Sequence, residues 1–165
     1  MITVAHLCSL LVAACPDRED PVTEPFLNRP QISLATARRL VDAAVAHGAS
    51  AGVPVAVAVS DAAGNLVASA RMDDAPLGAM RLASDKAYTC ALWQMASGDL
   101  QDSSQPGGDD WGVTSTEGGR IIVYAGGLPI FADGVLAGAI GVSGGTGAQD
   151  GECALAAVAA ALPEG

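Results

Sequence analysis

Two strand–turn–strand signals with a helical stretch between them constrain this chain more than any other feature. The first signal is the β-branched run Val53–Ser60, with valines on one face and small residues on the other. A turn at Asp61-Ala62-Ala63-Gly64-Asn65 and a return strand over Leu66–Arg71 complete it. The second begins with a strand over Arg120–Ala125, is broken at Gly126-Gly127, and resumes over Leu128–Phe131. Ala132-Asp133-Gly134 then turns the chain into a fourth strand, Val135–Ser143. Between the two hairpins, Ala75–Ala96 reads as a helix rich in Ala, Leu and Met. Upstream, Ser33 is placed to cap a helix with the stripe Leu34, Ala37, Val41, Ala44 and Val45, and Gly48 reads as its stop. Downstream, Thr146 and Gln149 have capping-box spacing ahead of an Ala-rich helix over Gln149–Leu162. The order α-β-β-α-β-β-α predicts an α+β fold. Two consecutive hairpins make an antiparallel sheet, with the helices segregated onto a face of it.

The composition narrows the function classes. At 165 residues the chain has the size of one domain and can bury a core without a metal or disulfide staple. Its 8 basic and 18 acidic side chains give a net charge of −10, which argues against nucleic acid or an anionic membrane as partner. No apolar run reaches the ~20 residues that a bilayer span requires. Cys8, Cys15, Cys90 and Cys153 form no C-x-x-C and have no histidine in register, so no metal ligand set is expected.

Residues 1–30 read as an N-terminal arm, and 31–165 as a single domain. The arm opens with the apolar Met1–Ala14 and continues through the Pro-punctuated 16–30. Val12-Ala13-Ala14-Cys15 resembles a lipoprotein cleavage site, yet no Lys or Arg precedes it as an export signal requires. A cytoplasmic chain whose arm packs on the body or on another subunit is the expectation. Export is the alternative if residues 1–15 are a signal.

No P-loop, nucleophile elbow or His-Glu-x-x-His is present, and the histidines, His6 and His47, offer no triad. The candidates are therefore isolated polar residues and glycines. Lys86 is the sole lysine, and helical spacing stacks it with Thr89 and Trp93. A lone ammonium among small apolar residues can orient a carboxylate or act as a nucleophile or acid. Arg71 can hold a carboxylate by two points, with Asp73 as acid or base. Glu117, Arg120 and Tyr124 adjoin the long polar loop Gly98–Gly119, whose Trp111 can stack a planar ligand. Lys86, Asp73 and Glu117 are thus the catalytic candidates. Arg71, Thr89, Trp111, Arg120, Gly126, Gly127, Gly144 and Gly145 are the ligand-binding ones. The two glycine pairs flank one hairpin, so they are expected at one end of the sheet, lining one pocket with Lys86 and Thr89.

The segments VAVAVSDAAGNLVASARMD, DKAYTCA and above all AGGLPIFADGVLAGAIGVSGGTGAQD resemble the GlcG/HbpS family of haem-binding-like proteins. That family includes the C-terminal domain of propanediol-utilisation adenosyltransferases. The resemblance runs over about residues 32–162. It implies a profilin-like α+β fold and homo-oligomers from dimer to octamer. It also implies haem as a cofactor in some members, held between subunits through a helix Thr or a His, and Thr89 stands at the helix position of the Lys-Ala-x-Thr pattern.

Besides a purely structural accessory subunit, two functional expectations remain open. One is a small-molecule-binding protein of the GlcG/HbpS type, with haem or another planar metabolite as guest. The other is a cofactor-independent enzyme working by acid–base chemistry on a small intermediate, by imine or enamine hydrolysis, isomerisation or cyclisation. The sequence leaves open whether the chain is an enzyme.

Overall fold

The computed structural model describes residues 27–162. The expectations placed on residues 1–26, including the Val12–Cys15 signal and the apolar helix, lie outside the described residues.

Helix α1 (Leu34–Ala51) opens the fold, and Ser33 Oγ accepts the Thr36 N–H as its N-cap. The helix runs past Gly48 and ends at Gly52, which takes the left-handed conformation a C-cap needs. Gly48 is instead a close-packing position, since a Cβ there would lie 2.8 Å from Val53 O. Strands β1 (Ala56–Asp61) and β2 (Leu66–Arg71) form the first hairpin. Helix α2 (Ala79–Trp93) is shorter at both ends than Ala75–Ala96. Asp74 at φ 57° and a turn through Pro76 precede it, and Gln94 closes it in a left-handed cap. Strands β3 (Gly127–Ala132) and β4 (Val135–Ser143) form the second hairpin. Helix α3 (Gly147–Ala161) begins on the capping box between Thr146 and Gln149 that the spacing predicts.

The sheet has the order β2-β1-β4-β3 and is antiparallel throughout, which makes the fold α+β. The helices do not share one face. Val57, Val59, Ile140 and Val142 point to α1 and α3, where they meet Leu40, Ala44, Ala154 and Ala157. The alternate residues Ala56 and Ala58 face Ala79 and Ala83 of α2, and Ala139 packs with Cys90 and Ala91. Alternation explains the correction: with β1 buried on both faces, the small residues are not a solvated side but a seat for a close helix. Gly141 belongs to this seat, because a Cβ there would come within 2.7 Å of the Ala87 backbone nitrogen.

The expected third strand, Arg120–Ala125, is not one. Its backbone groups are taken by side chains of the α2 region: Ile122 N donates to Thr89 Oγ1, and Ser97 Oγ donates to Tyr124 O. Pairing with β4 starts only at Gly126, whose carbonyl accepts the Val142 N–H. The long loop is folded into short 3₁₀ turns at Ser97–Leu100, Val113–Ser115 and Glu117–Gly119. Leu100, Val113 and Ile121 bury a small core of their own, with Tyr88 and Val123 packed on it.

Candidate functional site

Lys86 is fully buried. Its Nζ donates to Val142 O at 2.8 Å and to Asp150 Oδ2 at 2.8 Å, and it lies 5.2 Å from the centre of the Tyr124 ring. Asp150 is in the first turn of α3, and its Oδ1 accepts the Gly145 N–H. The side chain therefore leaves α2 on one face and reaches α3 on the other, passing the end of β3. Glycines open this passage. A Cβ on Gly126 would sit 2.5 Å from Nζ, and one on Gly141 would sit 3.0 Å from Lys86 Cβ. Burial pushes the Lys86 pKa down, and the hydrogen bond and charge of Asp150 oppose it.

Thr89 is also fully buried. Its hydroxyl donates to Asp85 O at 2.8 Å and accepts from Ile122 N at 3.0 Å, so it pins the segment after the loop onto α2. Trp93, placed with them by spacing, is partly exposed at the helix end. Gly126 and Gly127 are buried as well, and a Cβ on Gly127 would meet Cys90 Sγ at 2.6 Å. Gly144 and Gly145 line a different depression, with Pro76, Gly78, Ala79, Leu82 and Ser143. The glycine pairs lie at one end of the sheet but do not line one pocket with Lys86 and Thr89. The second pair faces out at the start of α2, while the first is enclosed beneath its middle.

The expected catalytic residues do not converge. Lys86 is bound to Asp150, Glu117 Oε2 accepts the Tyr88 hydroxyl at 2.9 Å, and Asp73 is exposed in the β2–α2 connection. Arg71 steadies that connection by donating from Nη1 to Ala75 O at 2.9 Å.

A second cluster gathers on the outer side of α2. Asp85 is buried, and its carboxylate binds Arg120 Nε at 3.0 Å and Arg81 Nε. The Arg120 guanidinium stacks on the Tyr88 ring, 3.6 Å from its centre. The Tyr88 hydroxyl donates to Glu117, which raises its pKa. The Arg120 side chain is 38% exposed, and its Nη1 and Nη2 have no partner among the described residues. Trp111, on the same loop, is 65% exposed, while Val113 two residues on anchors the loop in its small core. The structure thus joins Arg120 and Glu117 through Tyr88 and leaves Trp111 exposed nearby in sequence.

Sequence reasoning missed Asp85, Tyr88 and Asp150. For Asp150 the available signal was an acid inside the glycine-bounded first turn of an Ala-rich helix, in a chain with one lysine to match it. For Asp85 it was Arg81 one helical turn before. Among the described residues no group of three His, Cys, Asp or Glu is placed to hold a metal ion. Cys90 and Cys153 are free and buried, and burial pushes their pKa values up to about 12 and about 11. No helix of the described residues is long and apolar enough to cross a membrane.

Comparison with known proteins agrees with this architecture. A model of the family described as haem degrading protein HbpS-like matches residues 32–159. An uncharacterised 15.0 kDa protein of Citrobacter freundii is 38% identical over 119 residues, covering 72% of this chain and 84% of that one. The corrinoid adenosyltransferase PduO of Salmonella typhimurium is 35% identical over 149 residues. That match covers 90% of this chain but 43% of PduO. A solved PduOC–heme complex superposes with a TM-score of 0.77 at 36% identity, covering 79% of this chain and 94% of the other. With its helix–hairpin order, its two-faced sheet and a family match over most of its length, the chain belongs to the HbpS-like family.

Proposed function

We propose that this chain binds a planar, carboxylate-bearing small molecule, haem or a related metabolite, on the loop side of α2, and that Arg120 is its cationic anchor. The observation that carries the reading is the Arg120 guanidinium. Its Nε is fixed by buried Asp85 and its Cζ lies 3.6 Å from the centre of the Tyr88 ring, so Nη1 and Nη2 are held in a set orientation with no acceptor among the described residues. A fixed guanidinium fork binds a carboxylate by two points and loses little entropy in doing so. Trp111, Tyr124 and Trp93 supply exposed aromatic surface on the loop and at the end of α2, suited to a flat ring. The PduOC–heme complex supports a planar guest for this family.

The residues fit the periphery of a porphyrin better than its iron. Thr89 is sealed and already hydrogen-bonded, and both described cysteines are buried thiols. His47 lines a separate small depression with Val53, Gln149 and Cys153. Haem bound here would contribute its flat face and its propionates to recognition. Arg120 would hold a propionate, and the aromatic side chains would cover the ring.

Haemin titration followed by the Soret band tests the reading. Saturable binding that weakens about 10-fold in Arg120→Gln is the expected result, the size of a charge-assisted hydrogen bond lost. A parent protein that gives no saturable Soret change, or a variant that binds equally well, overturns it.

A further inference from the structure

The depression between the start of α2 and the β4–α3 corner has the chemistry of an anion site. Pro76, Gly78, Ala79, Leu82, Ser143, Gly144 and Gly145 line an open depression of about 180 Å³ there, with room for a carboxylate or phosphate group. Helix α2 begins without a side-chain cap and with no acidic residue in its first turn. Ala79 N donates to Pro76 O, but the N–H groups of Gly78, Met80 and Arg81 have no acceptor among the described residues. A helix of 15 residues therefore directs unsatisfied donors and the positive end of its dipole at this depression.

Ser143 provides the independent observation. It is 5% exposed, and strand alternation turns its side chain to the α2 face, opposite Val142. Its hydroxyl has no hydrogen-bond partner among the described residues, yet it is not sealed off as the Ser60 hydroxyl is. The Ser143 hydroxyl thus keeps its donor free at the solvent-reached wall of the depression. The nearby charges permit an anion. Asp150 is neutralised by Lys86, and its Oδ1 is bound to Gly145 N. Arg71 secures the turn before Pro76, while Asp73 and Asp74 are exposed on that same connection.

We propose that this depression binds a small oxyanion, the carboxylate or phosphate group of a metabolite. The Ser143 hydroxyl and the free N–H groups at the start of α2 donate to it, and Pro76 and Leu82 flank its carbon. The site is separate from Arg120, so it stands or falls independently of the planar-ligand reading.

Amide NMR of the full chain tests it, with inorganic phosphate in one titration, propionate in a second, and chloride matched for ionic strength in a third. Saturable shifts centred on Gly78, Met80, Arg81 and Ser143 are expected with at least one of the first two and not with chloride. The arm that saturates at lower concentration names the source. Gly78→Asp tests the mechanism, because a Cβ at Gly78 meets nothing within 4 Å and the new carboxylate would occupy the helix end itself. The saturable shifts should disappear in Gly78→Asp and weaken about 10-fold in Ser143→Ala. Shifts that rise linearly, that spread over surface arginines only, or that persist unchanged in Gly78→Asp overturn the proposal.

Discussion

Lys86 Nζ lies 2.8 Å from Asp150 Oδ2 across the end of the sheet, joining the helix on one face to the first turn of a helix on the other. Lys86 is fully buried and Asp150 is 3% exposed. The pair ties the helices on the two faces of the sheet together. Removing one partner leaves the other charge buried and uncompensated, which costs about 3–5 kcal/mol.

Lys86→Met and Asp150→Asn should therefore each lower stability by about 3–5 kcal/mol. The double variant should be more stable than the sum of the two losses predicts by at least about 1 kcal/mol, because the two sites share one interaction. Guanidinium unfolding of the four proteins checks this. Strictly additive losses would contradict the pair.

Gly126→Ala should be among the most damaging substitutions in the chain. The residue has φ 118°, and its added methyl would press on Lys86 Nζ, Val142 O and the Asp150 side chain. Strain and overpacking together predict a loss of about 3 kcal/mol or more. Gly78→Ala is the contrast, with φ −79° and open space around its Cβ, and should raise stability by about 0.4–1 kcal/mol. Thermal melts of the two variants beside the parent decide it.

The described thiols should be inert in the folded protein. Cys90 is buried, with its pKa pushed up to about 12, and Cys153 with its pKa up to about 11. The thiolate is the nucleophile, so at pH 8 about one part in a thousand or less is reactive even before access is considered. Iodoacetamide labelling followed by peptide mapping should modify neither residue until denaturant is added. Rapid labelling of Cys90 in the native state would contradict this.

Asp61 predicts a small acid sensitivity. Burial raises its pKa, but N–H donors from Asn65, Ala63 and Gly64 and the Asn65 side chain outweigh it, so the folded value is below 3.8. A carboxyl with a depressed folded pKa stabilises above its unfolded pKa, and that contribution is lost as pH falls through the folded value. Urea unfolding at pH 5 and pH 3 should show a smaller acid loss in Asp61→Asn than in the parent. Equal losses would remove this turn from the pH dependence.

The hairpins, the caps at Ser33 and Thr146 and the Lys86 helix were legible because they rest on local chemistry: alternation, side-chain capping and turn residues. Arg120–Ala125 misled because a β-branched run reports a preference for extended backbone and not its partner, and here Thr89 and Ser97 are the partners. Helices on both faces were missed because alanines of a doubly buried strand look like the small side of a half-buried one. The site suffered most. Lys86 stood out as a singular residue, but its role depended on Asp150, 64 residues away. Arg120 was identified without the neighbours, Tyr88 and Asp85, that orient it.

The exposed apolar side chains bear on assembly. Leu77, Leu92, Trp93, Met95 and Trp111 are between 36% and 91% exposed on the single chain, and burying such residues against a second copy stabilises association. Multi-angle scattering at micromolar concentration should give a mass of at least twice 16.3 kDa. A monodisperse single-chain mass would contradict self-association.

The planar-ligand account is tested most directly by competition between haemin and iron-free protoporphyrin for the parent and for Arg120→Gln. Recognition through the ring face and an Arg120-bound propionate predicts that protoporphyrin displaces haemin at comparable concentration. It also predicts that Arg120→Gln weakens both by about 10-fold, and that the protoporphyrin dimethyl ester, with its propionate charges removed, competes poorly. Haemin binding that protoporphyrin cannot displace and that Arg120→Gln does not weaken would contradict the account.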